Sequence, residues 1–137
     1  METFFDILEV LGVTPAEFFK QKTGDQKIVY KDEDTTFYSD EEHGYHIKWL
    51  IPESNEKEME PILLTLDKEG QYKQFTPSLS ETFIYVLKGK VALQFGETLY
   101  EAEKGESIYY EASKPHRLQN QANGVSKVLI VATESYL

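Results

Sequence analysis

Three histidines, 24 carboxylates and a supply of hydroxyls are the groups of this 137-residue chain that could do chemistry, and it has no cysteine. Without a thiol there is no disulfide framework, no thiolate nucleophile and no cysteine-held zinc. His43 and His46 stand three residues apart, a spacing that in a strand points them to opposite faces, so they are not expected to share a metal. No Ser-His-Asp order, phosphate-binding glycine loop or paired-carboxylate spacing stands out. What remains is His116 and two glycine-bounded segments. One runs from Gly70 through Thr76, Pro77, Ser78 and Thr82 to Gly89, the other from Gly105 through Ser113, Lys114, Pro115 and His116 to Asn120.

The glycine spacing of these segments resembles the two motifs of the cupin superfamily, small β-barrels that usually hold a metal. The first motif has a glycine, a His-x-His pair six residues on, then a Glu, then a second glycine seven residues after the Glu. Counting from Gly70, the resemblance puts Thr76 and Ser78 in the places of the histidines, Thr82 in the place of the Glu and Gly89 on the closing glycine. In the second motif Gly105, His116 and Asn120 fall in register, while Glu111 and Ser113 replace its usual proline and glycine. Three of four metal ligands are therefore hydroxyls, which lack the charge or softness with which His, Cys and carboxylates hold zinc, iron or copper. No metal and no other cofactor is expected. A hydroxyl does offer one donor and two acceptor positions, the equipment for holding a polar organic molecule.

The formal charge of -10 opposes attraction to phosphate backbones, so the chain alone is not expected to bind DNA. The acid gathers in Asp32 to Asp34 with Asp40 to Glu42, and in Glu53 to Glu60, both read as solvated loops and an exposed strand edge. No basic-then-apolar leader and no apolar run long enough to cross a bilayer is present, which together with the missing cysteines suits the cytoplasm.

The elements that must position these groups differ along the chain. Residues 1–22 read as a short pair of helices. Phe4, Ile7, Leu8 and Leu11 recur at helical spacing, Gly12 stops the first helix, and Thr14-Pro15-Ala16-Glu17 is a capping box for the second. From residue 27 to 137 short runs of Val, Ile, Tyr, Phe and Thr alternate with turn residues. They predict strands near 26–31, 35–38, 43–51, 61–67, 71–75, 80–87, 90–95, 98–102, 106–110, 116–120 and 126–133, hence a mainly β sandwich or barrel. With the resemblance, this becomes a cupin jelly-roll barrel behind a helical stub. The stub itself resembles the last two helices of the Cro/repressor-type helix-turn-helix domain. A family of bacterial transcriptional regulators joins such a reader to a cupin sensor, although here the recognition helix would lie upstream of Met1.

In the strand around 80–87, Thr82, Ile84 and Val86 share one face and Phe83, Tyr85 and Leu87 the other. The resemblance assigns the first row to the barrel interior, which leaves the second to a dimer interface or to coverage within the chain. Tyr85, Tyr100, Tyr109, Tyr110 and Trp49 are candidates for pocket wall or core, and Arg117 should face away from His116. The imidazole of His116 is read either as a core group satisfied by a hydroxyl or by Asn120, or as a hydrogen-bonding group at the floor of a pocket. The ligand-binding set is thus Thr76, Ser78, Thr82, Ile84, Val86, Tyr110 and His116. The expected function is sensing of a small-molecule effector by a homodimeric, non-catalytic regulator domain that reaches DNA only through missing helices. A cupin enzyme using His116 with Tyr85 or Tyr110, and a purely structural dimerisation module, are the alternatives.

Overall fold

A computed structural model describes residues 26–134 together with 136 and 137, so the helices expected over 1–22 lie outside the described residues. The chain divides into two compact units, Met1–Tyr30 and Lys31–Leu137. In the second, nine strands follow one another: β1 (Thr36–Asp40), β2 (Tyr45–Trp49), β3 (Met59–Leu66), β4 (Glu81–Lys88), β5 (Lys90–Phe95), β6 (Thr98–Glu103), β7 (Ser107–Glu111), β8 (His116–Asn120) and β9 (Ser126–Thr133). They form a six-stranded sheet in the order β1-β2-β3-β9-β4-β7 and a three-stranded sheet in the order β6-β5-β8. Every pairing is antiparallel.

Two expected strands are corrected. Residues 26–31 are not a strand, and residues 71–75 make only isolated bridges, Gln71 to Gln119 and Phe75 to His116. Proline and glycine bound that second run, and it lies along β8, held there by separate bridges instead of a continuous ladder.

The core follows from period-two alternation. Along β3 Glu60, Ile62, Leu64 and Leu66 are buried, along β4 Thr82, Ile84 and Val86, and along β9 Ser126, Val128, Ile130 and Ala132. Register then stacks these residues into cross-strand rows. Ile62, Ile130, Ile84 and Ile108 form one row of four isoleucines, and Leu64, Val128 and Val86 form the next. Branched side chains fit a pleated surface well, and each fully buried one contributes about 1.5–3 kcal/mol.

Two motif glycines have separate physical reasons. At Gly89 the chain turns from β4 to β5 with φ at 81°, and an added Cβ would lie 2.9 Å from that of Ser126. At Gly70 the reason is packing: a Cβ would lie 2.9 Å from the Asp67 carbonyl oxygen and closer still to that of Gly44.

Candidate functional site

One interior row differs from the apolar rows beneath it. Register places Glu60 beside Ala132, Ala132 beside Thr82 and Thr82 beside Tyr110, so four strands of the large sheet present carboxylate, methyl, hydroxyl and phenol in sequence. Glu60, Ala132 and Thr82 are buried and Tyr110 is half-buried. Ala132 is the shortest side chain of the row.

The smaller sheet supplies His116, the first residue of β8, at 2% exposure. Its ring lies stacked on Phe75 at 5.2 Å and edge-on to Tyr110 at 5.0 Å, with Tyr136 at 6.0 Å and Phe95 at 6.3 Å. Nδ1 is 3.0 Å from the Lys114 carbonyl oxygen, which can only accept, so Nδ1 carries the proton. That leaves the Nε2 lone pair facing the Tyr136 hydroxyl at 3.4 Å. Burial lowers the imidazole pKa, partly offset by the Lys114 hydrogen bond. His116 is therefore neutral at neutral pH.

Tyr136 completes the cluster from the segment after β9. Its hydroxyl meets Thr82 Oγ1, and its ring is edge-on to Phe75 at 5.0 Å. Burial raises the phenols of Tyr110 and Tyr136, and that of Tyr72 further along the same aromatic run. All three act as neutral hydroxyls. Tyr72 stands edge-on to Phe75 at 5.4 Å and donates to the Leu137 carbonyl oxygen at 3.0 Å, while the Leu137 N–H donates to Glu60 Oε1 at 2.7 Å.

The residues singled out from the sequence separate into three groups. Thr82, Tyr110 and His116 come together. Ile84 and Val86 share the interior face with Thr82 but occupy the next two rows, and Val86, four residues along, is about 13 Å from Thr82. Thr76 is exposed, and half-buried Ser78 uses its Oγ to accept the Ser80 N–H at 3.2 Å. Phe83 is half-buried while Tyr85 and Leu87 are exposed on the outer face. Among the other aromatic candidates, Tyr100 and Tyr109 are exposed and Trp49 packs against the core. Tyr85, on the outer face, is not a partner for His116.

Asn120 is corrected as a partner of His116. Its Nδ2 donates to the carbonyls of Leu66, Asp67 and Gly124, and its Oδ1 accepts from the Ala122 N–H and Ser126 Oγ. It clamps the β8–β9 turn. Glu60 is corrected as well, since it is buried rather than solvated. A charged residue in phase with Ile62, Leu64 and Leu66 was the available signal. Tyr136 had none, because its role depends on a backward turn of the chain.

The histidine pair near residue 45 also departs from expectation. His43 lies in the turn after β1, 2.8 Å from Asp40, and not in a strand. His46 joins Ser39 Oγ at 2.9 Å to Asp67 Oδ2 at 2.9 Å, a Ser-His-Asp chain that the sequence reading had not picked out. It ties β1 to β2 and to the turn after β3, with Ser39 and His46 on the exposed outer face of the sheet. Beside it a cleft of about 470 Å³ is lined by Phe37, Leu63 and Leu87 with Lys48 and Lys127.

The metal that cupins usually carry does not suit this donor set. His116 offers one nitrogen among neutral hydroxyls, and among the described residues no three His, Cys, Asp or Glu gather to hold an ion.

Two antiparallel sheets closing over a core, with one polar row at His116, define a small jelly-roll barrel. Residues 65–132 match the family model of the cupin domain, and fold and sequence together make this a cupin domain. The chain is similar, at 29% identity over 77 residues, to an uncharacterized protein of Methanocaldococcus jannaschii; the match covers 56% of this chain and 59% of that protein's length. A transcriptional regulator of the HTH_3 family from Vibrio cholerae has a similar fold, with TM-score 0.61 and 19% identity over 96% of this chain and 70% of that one. So has the cupin domain of an XRE-family transcriptional regulator from Enterobacter cloacae, with TM-score 0.59 and 13% identity over 66% of this chain and 96% of that one. The fold is shared by a predicted oxalate decarboxylase as well.

Proposed function

We propose that this domain senses a small organic effector for a cytoplasmic transcriptional regulator and serves as its dimerisation unit. The observation that carries the reading is the interior cluster of Thr82, Tyr110 and neutral His116, gathered around the Tyr136 hydroxyl. Two hydroxyls and an acceptor nitrogen among aromatic rings suit a polar, uncharged group on an aromatic or aliphatic frame. The similarity to cupin domains of regulators supports the setting. Among the described residues no helix is long and apolar enough to cross a membrane.

A sensor must bind its effector better in one arrangement than in another, and by linkage DNA and effector then change each other's affinity by one factor. The test joins this domain to a helix-turn-helix reader and measures effector and operator affinities with and without the other ligand. Tight effector binding with no mutual effect sinks the regulatory reading. Turnover of a bound molecule that His116→Gln abolishes would make the domain an enzyme instead, with His116 as base and Tyr110 or Tyr136 as acid.

A further inference from the structure

Tyr136 and Leu137 make their hydrogen bonds to the groups of the site. β9 ends at Thr133, and Glu134 follows with φ at 62°, a left-handed conformation that side chains other than glycine rarely adopt. Tyr136 is half-buried against the barrel, and Leu137 is buried at 7% exposure. Three groups of this short segment meet three groups of the site. The Tyr136 hydroxyl meets Thr82 and lies 3.4 Å from His116 Nε2, the Leu137 N–H donates to Glu60, and the Leu137 carbonyl accepts from Tyr72.

Glu60 gives the arrangement its direction. A carboxylate held at 6% exposure is costly unless it is hydrogen-bonded, and one of its bonds, on Oε1, comes from the Leu137 N–H, with Ser54 Oγ 3.5 Å from Oε2. Row neighbours of Glu60 in an ordinary core would be apolar, as in the two rows beneath. A buried acceptor, a buried phenol donor and a hydroxyl–imidazole pair, spaced to meet amide N–H, carbonyl and phenol in that order, make a recognition surface for one kind of molecule.

We propose that Tyr136 and Leu137 are a built-in occupant of the effector site, and that the effector is an aromatic amide of the tyrosyl-peptide type that displaces them. It would place a phenol or similar hydroxyl-bearing ring between Thr82 and His116, an amide N–H on Glu60 and a carbonyl or carboxylate oxygen on Tyr72. Displacement frees Tyr136 and Leu137, so occupancy is reported by the loss of their contacts with Thr82, His116, Glu60 and Tyr72. This inference rests on the sensing function proposed above and names its ligand class and its switch.

The probe is N-acetyl-tyrosyl-leucinamide, and the measurements are thermal shift and calorimetry on the whole chain. Two variants empty the site by different routes. Tyr136→Ala removes the occupying ring, while Glu134→Pro, whose φ is locked near -65°, forbids the backward turn and leaves every site group in place. The peptide is expected to bind both variants at least tenfold more tightly than the parent protein, and Glu60→Gln added to Glu134→Pro is expected to weaken it at least tenfold. Equal binding to parent and variants, or no binding to either variant, overturns the proposal.

Hydrogen exchange at the Leu137 amide separates this idea from the sensing function. A small molecule that binds the parent protein while that amide stays protected sinks the built-in occupant and leaves sensing intact. Peptide binding to Glu134→Pro, with no metabolite stabilising any form, supports the occupant and removes the sensing role.

Discussion

The protonation of His116 is where single residues decide behaviour. Burial lowers its pKa below the ordinary value, so the unfolded chain binds a proton near pH 6.5 that the folded chain refuses. Stability is therefore intact above that pH and falls as pH drops below it. His116→Gln should lose this component, and denaturant melts of both proteins between pH 7 and 5 should show a shallower decline for the variant. His43 and His46 are present in both proteins and cancel in the comparison. Tyr136→Phe tests the neighbouring contact. It removes the hydroxyl partner of Thr82 and of His116 Nε2 while keeping the ring, and should cost about 1–2 kcal/mol by urea unfolding. An unchanged midpoint would mean that the cluster contributes nothing to folding.

Strands and turns carry the next level, because rows matter more than single side chains. Ile130 sits in the middle of the isoleucine row, with Ile62 on one side and Ile84 on the other. Ile130→Ala should cost about 2–5 kcal/mol through lost burial and an unfilled cavity. Gly89→Ala acts through the β4–β5 turn instead. Its left-handed φ and the approach of Ser126 leave no room for a methyl group, so a loss of roughly 1–3 kcal/mol is expected in the same assay. Gly105 offers a contrast: its φ is also positive, but a Cβ there would meet nothing within 4 Å. Alanine at 105 should cost less than alanine at 89.

The apolar outer face raises the question of assembly for the molecule as a whole. Tyr85 and Leu87 are exposed beside Phe83 on the solvent side of β4, and the cleft lined by Phe37, Leu63 and Leu87 continues that surface. Our proposed homodimer uses this face, and sedimentation at micromolar concentration should show two chains per particle. Tyr85→Lys should shift the equilibrium to monomer with its circular dichroism unchanged. A monomeric parent protein would remove the dimerisation part of the proposed function. The net charge of -10 predicts no binding of this chain alone to duplex DNA at physiological salt, which a mobility shift checks.

Much of this was legible in residue order alone, and the reason is that it depends on local rules. Alternation along 80–87 put Thr82, Ile84 and Val86 on one face, and the cupin resemblance carried by the glycine spacing from Gly70 and Gly105 turned that face inward and pointed to the barrel and to His116. Counting from Gly70 along the resembled motif showed hydroxyls where metal ligands would stand. Only the tertiary structure decided which of those residues meet, because contact depends on strand register and on the path between strands. Register put Glu60, Ala132, Thr82 and Tyr110 in one row across residues 72 positions apart at most in β3 to β9. The bridging of 71–75 to β8 left Thr76 outside and brought Phe75 onto His116. Tyr136 reached the barrel from beyond the last strand, and no periodicity in the chain announces where a side chain outside the regular elements will pack.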